Sequence, residues 1–272
     1  MKIKKYLLEA LLVITCVVMG IVMLSCNANP VETPDDSQFV IPSATATPAP
    51  TPESTATVEP SATPEPTQAP LEFTTGDKSY FSDALFIGDS RTVGLCEYAD
   101  LGDATFFCSV GMNSFKIFDE KVDVKGIGTT TLNSLLKSKQ FGKVYILLGI
   151  NELGSDKDII VEKISAIVDA VKEMQPDALI FLQANMHVTA KKNASDKTFN
   201  NEKINALNAG IEALCDDKTI FYIDVNELFD DENGCLKADY SGDGIHVNGK
   251  GYAEWGDWFT TKEIIFTKNE TN

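Results

Sequence analysis

Phe86-Ile87-Gly88-Asp89-Ser90-Arg91-Thr92-Val93-Gly94 is the stretch on which the reading of this chain turns. The apolar run Ala84-Leu85-Phe86-Ile87 stops at a glycine, an acid and a serine. Two readings compete. In one, Gly88-Asp89-Ser90 is a turn and a helix cap, because Asp and Ser both favour such positions. In the other, a strand holds Ser90 out at its end as a nucleophile. A serine hydroxyl is weak at neutral pH, so the second reading requires a base, and an acid to orient that base, elsewhere in the chain.

Four further apolar runs follow, at 104–108, 143–149, 178–183 and 219–223. Val144-Tyr145-Ile146-Leu147-Leu148 is apolar throughout, as a strand covered on both faces should be. Helical patterns lie between the runs. Ile160, Ile164, Ile167, Val171 and Met174 form one apolar stripe, with Ser155 and Asp158 as a capping-box-like start and Pro176 as the stop. Ile204, Leu207, Ile211 and Leu214 repeat the stripe. A last helix is expected from about Asn248 to Ile265, with Tyr252, Trp255, Trp258 and Phe259 on its apolar face. Strands alternating with helices imply an α/β fold with a parallel sheet covered on both faces.

In such folds ligands bind beyond the C-terminal ends of the strands. The residues just after each run are therefore the ones that can share a site. These are Ser90, then Ser109 and Gly111, then Gly149, Asn151 and Glu152, then Asn185 and His187, and finally Asp243 and His246. His246 follows Asp243 by three residues on a predicted tight turn, a spacing that lets the acid reach Nδ1 and leaves Nε2 to take a proton from Ser90. Gly111 can offer a backbone N–H unobstructed by a side chain, Asn151 a side-chain amide and Ser90 its own N–H to a developing oxyanion. Singly, Gly111 reads as a turn and Asn151 as a cap. Together, all of them fall at the ends of strands of one sheet.

The blocks Gly88-Asp89-Ser90, Gly111, Gly149-x-Asn151 and Asp243-x-x-His246 resemble, in order, those of the SGNH hydrolases, or GDSL esterase family. The resemblance covers the whole expected domain. It implies a flavodoxin-like three-layer α/β/α sandwich on a five-stranded parallel sheet. It implies catalysis by Ser90, His246 and Asp243, with an oxyanion hole of Ser90 N–H, Gly111 N–H and the Asn151 amide. No metal is expected, since neither histidine has a plausible metal-ligand partner set, and no cofactor is expected. Glu152 departs from the family pattern, in which many members carry Asp after the asparagine; a changed contact behind Asn151 is expected. Arg91 is a candidate for binding an acidic substituent of the substrate, or for pairing with surface acids. His187 is a candidate for lining the substrate cleft, or for a surface position. Asp89 is expected to support the loop around Ser90.

Composition bounds the rest. Residues 30–72 hold ten of the eleven prolines, no Lys or Arg and seven acids, and repeat Ala-Thr-Pro-x-Pro-Thr at 46–51 and 62–67. Such a stretch cannot bury enough apolar surface to offset chain entropy, so 30–75 reads as a linker and 76–272 as the hydrolase domain. Residues 1–29 read as a signal or membrane-anchor segment: Lys2, Lys4 and Lys5 precede an uncharged run from Ala10 to Cys26. Met23-Leu24-Ser25-Cys26 resembles a lipoprotein cleavage site, so the chain is expected outside the cytoplasmic membrane, tethered at Cys26 or by an uncleaved anchor. A net charge of −17, with no basic patch, argues against nucleic-acid partners, and membrane contact is expected through the anchor alone. Cys96, Cys108, Cys215 and Cys235 match no zinc spacing, and their pairing is not legible.

The resulting expectation is a serine esterase that removes short acyl groups from carbohydrate or cell-wall polymer esters. The alternatives are a lysophospholipase or thioesterase acting on lipid esters, and a non-catalytic carbohydrate-binding relic. The long connections at 112–140 and 185–200 mix apolar with charged residues and offer no contiguous apolar face for a long acyl chain.

Overall fold

The structure is a computed structural model that describes residues 72–265. The anchor segment 1–29 and nearly all of the linker 30–75 lie outside the described residues.

Five strands form one sheet: β1 (Ala84–Gly88), β2 (Thr105–Cys108), β5 (Lys143–Leu147), β6 (Leu179–Gln183) and β7 (Ile220–Ile223). Their order is β2-β1-β5-β6-β7 and every pairing is parallel. Each is one of the five apolar runs. Parallel strands need crossovers, and helices supply them. Those described are α1 (Ser90–Tyr98), α2 (Leu132–Ser138), α3 (Lys157–Met174), α4 (Ala190–Ser195), α5 (Asn201–Glu212), α6 (Asn226–Phe229) and α7 (Gly249–Phe259).

The side-chain alternation of the strands divides the core into two chemically different layers. Phe106, Phe86, Tyr145, Phe181 and Phe221 share one register row, one from each strand. The rings of Phe86, Tyr145 and Phe181 stack at 4.4 and 4.5 Å between centroids. Phe259 of α7 meets Phe86 and Tyr145 edge-on at 5.4 and 5.6 Å, and Leu95 of α1 joins the same layer. The other face is aliphatic. Leu85, Ile87, Val144, Ile146, Ile180 and Leu182 pack there against Ile160, Ile164 and Ile167 of α3 and Ile204, Leu207 and Ile211 of α5.

Three local details differ from the sequence reading. The cap of α3 is Asp156, whose carboxylate accepts the Asp158 N–H at 2.8 Å, rather than Ser155. Helix α7 ends at Phe259 and not near Ile265. Its apolar stripe ends there, and Glu263 instead pairs with the entering chain: Thr74 N–H donates to Glu263 O at 2.8 Å and Glu263 N–H to Thr74 O at 3.1 Å. Finally, β3 (Val122–Val124) and β4 (Gly128–Thr130) form an antiparallel hairpin within what reads as a connection. Three-residue strands burying only Val122 and Val124 are too short to show a period.

Candidate active site

The C-terminal ends of β1, β2 and β5 place the candidate residues on one rim. Ser90 opens α1, one residue after the cap Asp89, whose carboxylate accepts the Arg91 N–H at 2.9 Å. A residue at the first helical position has no intrahelical acceptor for its N–H, so the Ser90 N–H remains available. Its hydroxyl lies 2.8 Å from His246 Nε2. His246 Nδ1 lies 2.6 Å from Asp243 Oδ2. A carboxylate can only accept, so Nδ1 carries the proton and Nε2 accepts from the Ser90 hydroxyl.

The turn that carries the pair is built for it. Asp243 Oδ1 accepts the backbone N–H groups of Ile245 and His246, both at 2.9 Å. Burial alone would raise the Asp243 carboxyl, but the hydrogen bonds from the His246 ring and from these two N–H groups hold it well below the usual carboxylate range. Gly244 has φ +87°, and a Cβ there would meet Lys192 Cβ and Thr189 Oγ1 at 2.9 Å. Only glycine lets this turn dock against residues 189–192, where its carbonyl accepts the Thr189 N–H at 3.0 Å.

The loop after β2 lies between the other two blocks. Ser109 N–H donates to Gly88 O at 3.3 Å, and Asn151 Nδ2 donates to Met112 O at 2.9 Å. Gly111, between them, has φ +79° with open space around it, so conformation rather than crowding calls for glycine. Its N–H donates to no acceptor among the described residues. Asn151 is exposed, and its second amide hydrogen is free to donate.

Glu152 holds the same loop from below. It is buried, and its Oε1 accepts both the Ser114 N–H and the Ser114 hydroxyl, the latter at 2.7 Å. Burial raises its carboxyl above the ordinary 4.5, although the Ser114 hydrogen bonds oppose this. Sequence reasoning expected a changed contact here but not Ser114, which lies 38 residues away in the chain. A group raised on folding contributes stability that is fully present below its unfolded value and lost as pH rises through the folded one. In Glu152→Gln this titration is gone while one acceptor for Ser114 stays. The melting-temperature advantage of the wild type over Glu152→Gln should therefore shrink as pH rises above about 4.5. Thermal unfolding across pH checks this, and an advantage that grows with pH would contradict it. Glu152→Ala, which leaves Ser114 buried and unpaired, should cost about 1–3 kcal/mol.

Two candidates are not brought to the rim. Arg91 is 1% exposed and faces inward. Its guanidinium donates to both Asp89 oxygens, at 3.0 and 2.7 Å, and to Asn185 Oδ1 at 2.9 Å. Its partners are the buried Asp89 and Asn185 rather than surface acids. His187 is also buried rather than cleft-lining or superficial. Its Nδ1 is 2.7 Å from Asp230 and its Nε2 is 2.6 Å from Asn205. Burial would lower this imidazole, yet the bonds to Asp230 and Asn205 raise it above the usual histidine value. Its loop position resembled that of the other rim residues, and only a fold brings Asp230 and Asn205 to it.

A cleft of about 530 Å³ borders the site on the Asp243 side, lined by Thr189, Lys191, Lys192, Ser195, Ser241 and Asp243 among others. Ser90 is not part of its wall. Among the described residues no cluster of His, Cys, Asp and Glu is arranged to hold a metal. The arrangement can carry out acyl transfer: a hydroxyl bonded to an oriented imidazole, with unpaired donors on the same rim.

Comparison with known proteins agrees. The model of the family described as GDSL-like Lipase/Acylhydrolase matches residues 86–254. No curated protein matches the chain. Among solved structures, a Streptococcus pneumonia protein named for platelet activating factor is 22% identical, with a TM-score of 0.51 over 65% of this chain and 81% of its own. A GDSL-like lipase from Bacteroides thetaiotaomicron is 18% identical, with a TM-score of 0.48 over 66% and 85%. A carbohydrate esterase family 3 protein from Talaromyces cellulolyticus is 15% identical, with a TM-score of 0.45 over 65% and 91%. Of these, only the first bears on the fold, and on nothing further. The family match runs from the strand before Ser90 to the helix after His246, and by it the chain belongs to the GDSL-like lipase/acylhydrolase family, the SGNH hydrolases, as a carboxylic ester hydrolase of that type.

Proposed function

We propose that the chain is an extracytoplasmic serine esterase that removes short acyl groups, acetyl foremost, from carbohydrate or cell-wall polymer esters. Ser90 Oγ attacks the ester carbonyl as His246 Nε2 takes its proton. Asp243 stabilises the imidazolium and holds its orientation. The N–H groups of Ser90 and Gly111 and the Asn151 amide receive the oxyanion. Collapse of the tetrahedral intermediate expels the alcohol, protonated by His246. Water, activated by the same imidazole, then releases the acid from the acyl-Ser90 ester.

The cleft beside Asp243 carries the choice of substrate. Its lysines, hydroxyls and acids offer hydrogen-bond partners to a hydrophilic alcohol. The connections that could have served as an apolar lid support the same reading. Met112, Ile117, Met186 and Val188 are all at most 1% exposed, and the large apolar side chains these segments leave exposed, Phe115 and Ile127, stand twelve residues apart rather than in one contiguous run. A long acyl chain gains roughly 0.8 kcal/mol per CH₂ only where apolar surface receives it. Among the described residues no helix is long and apolar enough to cross a membrane. The tether in this reading is residues 1–29, through Cys26 or an uncleaved anchor, and no nucleic acid, metal or cofactor is required.

On p-nitrophenyl esters from acetate to palmitate, below micelle concentrations, kcat/KM should fall beyond about four acyl carbons. Acetylated polysaccharide should release acetate. A maximum at ~8 carbons or longer would replace this reading with the lipid-directed one.

A further inference from the structure

Cys96 and Cys108 take no part in the chemistry above. Cys96 lies on α1, the helix that Ser90 opens, and Cys108 ends β2, an edge strand of the sheet. Alternation along β2 puts Phe106 and Cys108 on one face and Phe107 on the other. Phe107 belongs to the aliphatic layer, whereas Phe106 stacks on Phe86 at 5.2 Å and packs into the aromatic layer with Leu95 of α1. Cys108 therefore points to the side that α1 covers, and Cys96 directly follows Leu95. Each thiol bears on the other's titration, Cys108 lowering that of Cys96 and Cys96 raising that of Cys108. Both are free; Cys96 is exposed and Cys108 half-buried.

We propose that Cys96 and Cys108 are a disulfide-forming pair whose oxidation ties α1 to the edge strand and stabilises the domain. The oxidant is a small-molecule or protein disulfide. The exposed Cys96, as thiolate, attacks one sulfur of that disulfide and expels one thiolate. Cys108, after losing its proton, attacks the Cys96 sulfur and expels the second. Two protein thiols lose two protons and two electrons, and the oxidant becomes two thiols.

The surroundings set the rates. Burial raises the Cys96 thiol, Glu97 adds to this and Lys125 opposes it. Burial pushes the Cys108 thiol up to about 12, with Cys96 and Asp89 adding. Little thiolate forms near neutrality, so exchange is slow and accelerates with pH. The same property makes both sulfurs poor leaving groups, so the bond, once made, resists reduction. Such thiols fit a structural crosslink rather than a rapid switch. It closes residues 97–107 into a loop and fastens a strand that has a neighbour on one side only.

The test is incubation of the full chain with oxidised glutathione at mildly alkaline pH, followed by peptide mapping and thermal unfolding. The expected map joins the Cys96 and Cys108 peptides. The melting temperature should rise by about 5–10 °C and return on reduction with dithiothreitol. Cys96→Ser and Cys108→Ser should each abolish both changes. The mapping is done on the wild type, so a variant that folds poorly does not decide the outcome. A map with glutathione on Cys96 and a free Cys108, with either cysteine joined elsewhere, or with both left as thiols would overturn the proposal. So would a joined pair that melts no higher than the reduced protein. None of these readouts depends on esterase activity.

Discussion

Ser90→Ala is expected to lower kcat/KM for ester hydrolysis by about 10³-fold or more while leaving the melting temperature nearly unchanged. The two halves of this result have separate causes. The hydroxyl is the atom that would bond to the acyl carbon, and no other group among the described residues is held 2.8 Å from His246 Nε2. The helix does not depend on it, because Asp89 caps α1. Removing it leaves His246 Nε2 without a protein partner, but this side chain is 38% exposed and water can replace the lost bond. His246→Ala should fall by a similar factor, and Ser90→Ala combined with His246→Ala by no more than either alone, since the two act as one unit. Steady-state kinetics on p-nitrophenyl acetate with matched thermal unfolding checks both halves. Near-normal activity in Ser90→Ala would remove the serine from the mechanism. A large fall in melting temperature would show that the hydroxyl also holds the turn.

The second large effect is on folding. Arg91→Ala should destabilise the domain by about 3–5 kcal/mol, a drop of roughly 10 °C or more in melting temperature. Asp89 is 0% exposed, and its pairing with the guanidinium is what compensates for burying its charge. Truncating the arginine strands that carboxylate and frees Asn185 Oδ1 as well. Activity should fall with stability, because Asp89 caps the helix that presents Ser90. Arg91→Lys should recover only part of the loss, since an ammonium cannot grip both Asp89 oxygens and Asn185 in one plane. Differential scanning calorimetry separates these outcomes. A shift of only ~2 °C in Arg91→Ala would mean that water or a neighbouring donor satisfies Asp89 and that the pair is not the anchor of this turn.

Much of the fold was legible because its signals are local. Burial on both faces makes a strand apolar nearly throughout, and β1, β5 and β6 show this within a few residues, while the edge strands β2 and β7 are only partly covered but still mostly apolar. A stripe repeating every three to four residues marks α3 and α5 in the same way. The rule that ligands gather beyond strand ends then needed no coordinates to single out Ser90, Gly111, Asn151 and His246. Asp243 and His246 were readable as a pair because three residues on a turn suffice to bring them together. The hairpin of β3 and β4 escaped because three residues show no period. The end of α7 escaped because its stop depends on Thr74 and Glu263, which are far apart in the chain.

The amino-acid sequence by itself thus determined the alternation of strands and helices, the layering that follows from it, and the order of the motif residues along the rim. The tertiary structure alone decided what each polar side chain answers to. Arg91 and His187 looked outward-facing in the sequence, yet one is turned in by Asn185, 94 residues away, and the other by Asp230, 43 residues away. Glu152 grips Ser114, and Ser90 meets His246 across 156 residues. The physical reason is range. Hydrophobic burial is non-directional and leaves its period in neighbouring residues, whereas a buried charge or hydrogen bond needs one partner at one distance and angle, and only the folded chain can supply it.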